Sequence, residues 1–403
     1  MGCRVCDSTN LELVLDLGQQ PWGNNFLQKD MLGDEVFYPL RLFFCVDCGT
    51  VQLDFTIPKE VMFGDHTYLS GVTSSLKNHF KEVADETVKK FFPDIASRKV
   101  SVLDIGSNDG SQLKYYESLG CDILGVESSV TTAKIANDNN IPTMNNFFNL
   151  ELADELDRKF DIVNASGVFF HLEELHSVAK GIKKLLAKDG VFVVQFLYLK
   201  SLVENMAFDQ IYHEHLLYYN LSTLQVLLKR HGLELFDVRL APIHGGSIIG
   251  HVSHQGRSKP SDRLVSMLNI EKKEKANEIE TFYKFAENLK IVKEENLRLL
   301  NDFKSQGKKI YGFGAPVKGN TMLNYFGVGT QYLDCLVEKN PLRKGLFSPG
   351  MHIPVVMENE IDPPDVYYVL AWNFKKEILA NNKDLIKKGV IFHFPVNPKS
   401  DKE

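Results

Sequence analysis

Apolar and polar positions along the 403 residues change their rhythm several times. Up to about residue 75 the chain is turn-rich, with Asp16-Leu17-Gly18-Gln19-Gln20-Pro21 reading as a turn and residues 40–44, just after Pro39, as a strand. Beyond Ser75 the apolar spacing becomes helical, placing Phe80, Val83, Ala84, Thr87 and Val88 on one side. From Val100 to about Leu240, short apolar runs at 102–105, 123–126, 162–165 and 191–196 alternate with helical stretches. That alternation favours a parallel, doubly wound sheet. Residues 258–305 are rich in Lys, Glu and Leu and lack proline after Pro260, which predicts one long helix or two. A second alternation then begins at Lys309, with strands expected at 310–313, 333–337, 366–370 and 390–392. The pattern predicts an α/β protein of three units, at residues 1–75, 76–250 and 251–403.

Composition narrows the class without naming a chemistry. At 44% hydrophobic and 24% charged residues, the chain has the make-up of a soluble globular protein. A net charge of -6 argues against nonspecific nucleic-acid binding, yet leaves room for a local basic pocket that takes a phosphate. There is no apolar run of about eighteen residues, so no membrane span is expected. The first residues lack the apolar core of a signal peptide. Six cysteines are too few for a disulfide scaffold in a chain of this length, and a reducing, cytoplasmic location is expected.

Four of those cysteines form two pairs, Cys3-x-x-Cys6 and Cys45-x-x-Cys48. A two-residue gap lets both sulfurs of a turn reach one tetrahedral metal, and Gly49 suits the tight turn that follows. The spacing predicts a structural zinc site, since four thiolates leave no position for a substrate. A redox pair or chance spacing are the alternatives. Cys121 and Cys335 lie in or beside apolar strands and read as core residues.

The run Asp104-Ile105-Gly106-Ser107-Asn108-Asp109-Gly110 reads as a strand end, a glycine turn and a helix start. Gly106 and Gly110 would let the backbone approach a ligand, and Asp104 could meet an amino or hydroxyl group. Glu127 ends the next strand, where an acid can accept both hydroxyls of a ribose. A dinucleotide site would want G-x-G-x-x-G, which Ser107-Asn108 interrupts, and a pyrophosphate sits poorly beside Asp104 and Asp109. A sulfonium ligand suits an acidic turn better, which favours S-adenosylmethionine over a nicotinamide. Phe147 or its neighbours could lie by the adenine, and Asn164 ends the strand where the reactive end of the cofactor is expected.

The segment Phe208-Asp209-Gln210-Ile211-Tyr212-His213-Glu214-His215 carries more acid–base capacity than a structural turn needs. Histidine suits proton abstraction near neutral pH. His213 and His215 flank Glu214, and spacing does not say which would be the base. In the last unit, Tyr311-Gly312-Phe313-Gly314-Ala315-Pro316-Val317-Lys318-Gly319-Asn320-Thr321 again reads as strand, glycine turn and helix. Its backbone amides and Lys318, supplemented by Arg343 and Lys344, could face the diphosphate of a sugar nucleotide. His352 reads either as turn structure or as a nucleotide contact.

Together these motifs resemble the S-adenosylmethionine-dependent C-methyltransferases of nucleotide-linked 4-keto deoxysugars, of the sugar C-3 methyltransferase type. The resemblance covers nearly the whole chain. It rests on the paired cysteines, the Asp-x-Gly-x-Asn-Asp-Gly turn, the Tyr-His-Glu-His cluster, His244-Gly245-Gly246-Ser247 and Lys318-Gly319-Asn320-Thr321. It implies a zinc-binding module, a Rossmann-like methyltransferase domain and a C-terminal Rossmann-like α/β domain that binds the sugar nucleotide. It also implies His215 as the catalytic base, with Tyr212 and Glu214 lining the sugar site and Tyr68 approaching from the N-terminal module. His244, Lys318, Asn320 and Arg343 would meet the substrate. Gln195, Gly167 and Ile249 depart from the family pattern, where glutamate, asparagine and arginine are common. The rival readings are an O- or N-methyltransferase on a related sugar nucleotide, a noncatalytic nucleotide-sugar scaffold and, third, a nicotinamide oxidoreductase.

Overall fold

The computed structural model describes residues 2–64, 69–72, 74–243 and 245–396; Tyr68 and His244 lie outside these described residues. Sixteen strands are present among them: β1 (Leu11–Pro21), β2 (Phe37–Cys45), β3 (Val51–Leu53), β4 (Ser101–Ile105), β5 (Asp122–Glu127), β6 (Thr143–Asn145), β7 (Phe160–Ser166), β8 (Leu186–Leu197), β9 (Leu217–Tyr218), β10 (Leu233–Ala241), β11 (Ser247–His254), β12 (Ile310–Phe313), β13 (Leu336–Glu338), β14 (Val355–Met357), β15 (Val366–Val369) and β16 (Ile391–His393). They form three sheets, ordered β1-β2-β3-β9, β10-β11-β8-β7-β4-β5-β6 and β14-β13-β12-β15-β16.

The middle sheet follows from its sequence. In β8 the run Val191-Phe192-Val193-Val194-Gln195-Phe196 is buried on both faces, as a central strand flanked by helices must be. The strands β4, β5, β6, β7 and β8 run parallel, while β11 is antiparallel to both β8 and β10. Successive strands leave β4 in one direction and β7 in the other, so a crevice opens between them at the carboxyl ends. The third sheet is wholly parallel and reverses in the same way between β12 and β15.

Some local expectations change. The expected turn at Asp16–Pro21 is instead a bulged part of β1, with a register shift between Asp16 and Gln19 and the Gly18 amide donating to Asp16 Oδ1 at 2.8 Å. Pairing with β2 across this stretch outweighs the local turn composition. The strand expected at 333–337 starts only at Leu336. The 258–305 stretch is two helices, Asp262–Lys273 and Ile279–Ser305. Phe282, Phe285 and Leu289 of the longer one share a core with Phe44 of β2 and with Ile310 and Val366 of the third sheet.

One insertion organises the molecule. Between β8 and the helix Leu221–Arg230 the chain leaves the middle sheet and returns. On the way a 3-10 turn at Phe208–Gln210 packs Phe208 on Tyr325 and Phe326 of the third unit, at ring distances of 5.7 and 5.1 Å. β9 then adds to the N-terminal sheet, pairing Tyr218 with Val51 and Leu217 with Gln52. The Tyr-His-Glu-His cluster is strung between these two anchors.

Candidate functional site

The four cysteines converge although 39 to 45 residues separate the two pairs. Cys3 Sγ lies 3.6 Å from Cys48 Sγ, Cys6 Sγ lies 3.5 Å from Cys45 Sγ, and all four sulfurs fall within 4.8 Å of one another. A tetrahedron with Zn–S bonds of about 2.3 Å has edges of about 3.8 Å, so the donor set fits zinc. The contacts are too long for disulfides, which need about 2.05 Å, and all four cysteines are free. Cys48 is the acidic member, held down to about 5 by hydrogen bonds from Cys3 and Thr50. Holding all four as thiolates calls for a cation among them.

At the carboxyl ends of β4, β5 and β7, the expected cofactor residues line one crevice. Gly106 and Gly110 adopt φ of +69° and +75°. A Cβ on Gly106 would stand 2.5 Å from Val168 Cγ2, so no side chain fits there without displacement. Glu127, at the end of β5, accepts hydrogen bonds from the amides of Asn108 and Ser129, both at 2.8 Å. Asn164 Nδ2 donates to Asp104 Oδ1 at 2.6 Å. Burial pushes the Asp104 carboxyl up to about 7, the Asn164 bond opposing and the charge of Glu127 adding, and burial likewise raises Glu127. Two buried acids with no basic side chain bonded to either among the described residues suit a cationic sulfonium and repel a diphosphate. Phe147 follows β6, with the Lys59 ammonium 4.7 Å from its ring centroid, whereas Phe148 is core. Above the turn, the Ser70 and Gly71 amides donate to Asn108 Oδ1 and Asp109 Oδ2, so the linker from the first unit rests on it.

His215, Tyr212 and Glu214 lie together, and the structure separates the two histidines that spacing could not. His215 Nδ1 donates to the Gln210 carbonyl at 2.7 Å, which leaves Nε2 as the basic nitrogen. Its ring lies 3.9 Å from Tyr212, 4.5 Å from Phe170 and 5.0 Å from His171, centroid to centroid. His171 Nδ1 in turn donates to the Glu214 carbonyl at 2.5 Å. His213 points away, edge-on to Tyr38 at 5.7 Å, and burial lowers it to about 4. Glu214 accepts from Trp22 Nε1 at 2.8 Å, and burial lifts its carboxyl to about 7.

In the third unit the residues expected at the substrate diverge. Arg343 is charge-coupled to Glu214 and Glu338, and its guanidinium lies 4.4 Å from the Phe26 ring centroid. The Lys318 ammonium is buried and lies 3.2 Å from Asp209 Oδ2 and 3.9 Å from the Trp372 ring centroid. Asn320 Nδ2 donates to the Gly23 carbonyl at 2.7 Å, binding the first unit to the third. His352 bonds to Glu35 at 2.5 Å and does the same. Gly167 keeps a φ of +72° beside open space, and Gln195 accepts from His79 at 2.6 Å.

Sequence reading missed Glu338, Trp22 and Trp372. Glu338 ends β13 and accepts from the amides of Ala315, Lys339 and Asn340 at 2.7–3.0 Å. Glu127 relates to its own glycine turn in the same way, so a second search for an acid ending the strand after a glycine turn would have found it. Trp22 stands 192 residues from its partner Glu214, and no local signal marks it.

Three family models match the chain: "Putative zinc binding domain" at residues 3–63, "Methyltransferase domain" at 76–238 and "C-methyltransferase C-terminal domain" at 242–397. The chain is 31% identical over 405 residues to the C-methyltransferase NovU of Streptomyces niveus, covering 98% of this chain and 95% of that protein. Among solved structures it is similar to a magnesium protoporphyrin IX methyltransferase from Synechocystis, with 15% identity, 48% of this chain, 88% of that chain and a TM-score of 0.34. A plantazolicin methyltransferase, BpumL, gives 16%, 44%, 82% and 0.34. Scores at that level add no argument.

Proposed function

This chain belongs to the C-methyltransferase family, and from that premise we propose that it methylates a ring carbon beside the keto group of a nucleoside-diphosphate 4-keto deoxysugar. It is an S-adenosylmethionine-dependent methyltransferase with a zinc-binding N-terminal domain. When bound, the cofactor supplies an electrophilic methyl group. Asp104, Gly106, Asn108, Gly110, Glu127, Phe147 and Asn164 would hold it, the two acids favouring its positive charge.

The observation that carries the proposal is His215. Its Nδ1 is fixed as a donor to the Gln210 carbonyl, so Nε2 presents a lone pair inside a buried aromatic wall. Nε2 takes the proton next to the ketone, and the resulting enolate is the carbon nucleophile. Tyr212 and Glu214 orient the sugar ring, with Tyr68 as a further catalytic residue. Arg343, with Phe26 behind it, takes the diphosphate, and Glu338 takes a ribose hydroxyl at the crevice of the third sheet. His244 belongs with the substrate contacts. The units proposed are 1–75, 76–250 and 251–403, the second holding the cofactor and the third the sugar nucleotide.

Exchange in D2O tests the base directly. With S-adenosylhomocysteine bound, the wild type should exchange the proton beside the ketone of a nucleoside-diphosphate 4-keto deoxysugar. His215→Asn should bind S-adenosylhomocysteine normally yet exchange it at least about 100-fold more slowly. A His215→Asn variant that exchanges at the wild-type rate would reject the proposal.

A further inference from the structure

The carbonyl that fixes the tautomer of His215 belongs to a turn that the third unit holds in place. Asp209 is fully buried in the 3-10 turn Phe208–Gln210, one residue before the Gln210 carbonyl that accepts from His215 Nδ1. Asp209 Oδ2 accepts from Trp372 Nε1 at 2.6 Å and lies 3.2 Å from Lys318 Nζ. Lys318 opens the helix Val317–Phe326, and Trp372 follows β15. The ammonium also lies over the Trp372 ring, and that ring abuts Gly245, where a Cβ would come within 2.7 Å. Asp209 Oδ1 and Lys318 Nζ have no hydrogen-bond partner among the described residues beyond this ion pair.

A buried ion pair is a poor source of stability, because desolvation offsets much of the attraction. It is a strong constraint on geometry, since neither charge can leave the other without remaining unpaired. The pair ties the peptide segment before His215 to an element of a different unit, and Phe208 against Tyr325 and Phe326 reinforces the same contact. We propose that Lys318 and Asp209 are positioning residues for His215, holding the Gln210 carbonyl where it keeps the proton on Nδ1 and the lone pair on Nε2. The assignment rests on His215 being the base. It gives the third unit a part in the chemical step as well as in holding substrate.

Lys318→Met leaves a buried carboxylate without its counter-charge, and Asp209→Asn leaves a buried ammonium without its own. The double variant Asp209→Asn/Lys318→Met removes both charges and keeps a donor and acceptor at position 209. With S-adenosylhomocysteine affinity and thermal midpoint as folding controls, Lys318→Met should lower kcat at least tenfold and leave KM for the sugar nucleotide within about twofold. Selective 15N-histidine spectra, with the His215 signal assigned by its loss in His215→Asn, should show Nδ1–H in the wild type and a mixed tautomer in Lys318→Met. The double variant should recover a substantial part of kcat and the Nδ1–H signal. A rise in KM with kcat unchanged would overturn the proposal and make Lys318 a diphosphate contact. An unchanged tautomer in a folded Lys318→Met would also overturn it. Activity retained in His215→Asn would instead remove the base reading itself.

Discussion

Replacing Asp104 by asparagine separates what the cofactor crevice contributes to binding from what it does to stability. The carboxyl is 3% exposed and is pushed from 3.8 to about 7, chiefly by burial. A shift of about 3 units corresponds to an order of 4 kcal/mol at roughly 1.36 kcal/mol per unit. Because the folded carboxyl binds its proton more tightly than the unfolded chain does, stability falls as pH rises from about 4 to about 7. Below that window the penalty is absent, and above it the penalty is complete. An asparagine keeps an acceptor for Asn164 Nδ2, but its own amide group can be left unmet at a cost of about 1–3 kcal/mol. The net expectation at pH 8 is a ligand-free variant more stable than wild type by about 1–3 kcal/mol. Urea unfolding at pH 5, 6, 7 and 8 should show the difference growing with pH and flattening above 7. Calorimetric titration should show S-adenosylmethionine binding weakened at least tenfold, with neutral S-adenosylhomocysteine affected less. A difference that is constant with pH, or that shrinks as pH rises, would refute the reasoning, because the carboxylate would then carry no burial penalty.

Two further outcomes are expected. Cys45→Ser breaks the four-sulfur cage and, through β2, β3 and β9, loosens the sheet that ends the His215 segment. Zinc retention against a chromogenic chelator should fall by more than about tenfold, and turnover should fall with it. Burial lifts the Glu214 carboxyl to about 7 beside the Trp22 indole, so tryptophan fluorescence should show a transition near pH 7 as the carboxylate forms. That transition should be missing in Glu214→Gln.

Much of this was legible because the signals are local. A two-residue gap between cysteines, a glycine turn after a Val-rich strand and an acid ending the next strand each lie within a short window. Backbone geometry over such a window is set by the residues inside it. The same holds for the alternation of strand and helix from 102 onward, where burial on both faces leaves continuous apolar runs. The bulge in β1 was misread for a related reason. Asp16-Leu17-Gly18 has the composition of a turn, and only pairing with β2 decides that the strand continues.

The sequence by itself determined the α/β class, the four converging cysteines and the acidic turn after β4. Tertiary structure alone decided the different surroundings of His213 and His215, because these depend on a carbonyl five residues before His215 and on the Tyr38 ring of β2. It also decided that the Lys318 charge meets Asp209 and Trp372, which lie 109 and 54 residues away in the chain. Trp22 came to Glu214 across a still longer interval. Partner choice for a charged or polar side chain is settled by which surfaces fold against each other, and packing between separate sheets leaves no periodic trace in any one stretch of sequence.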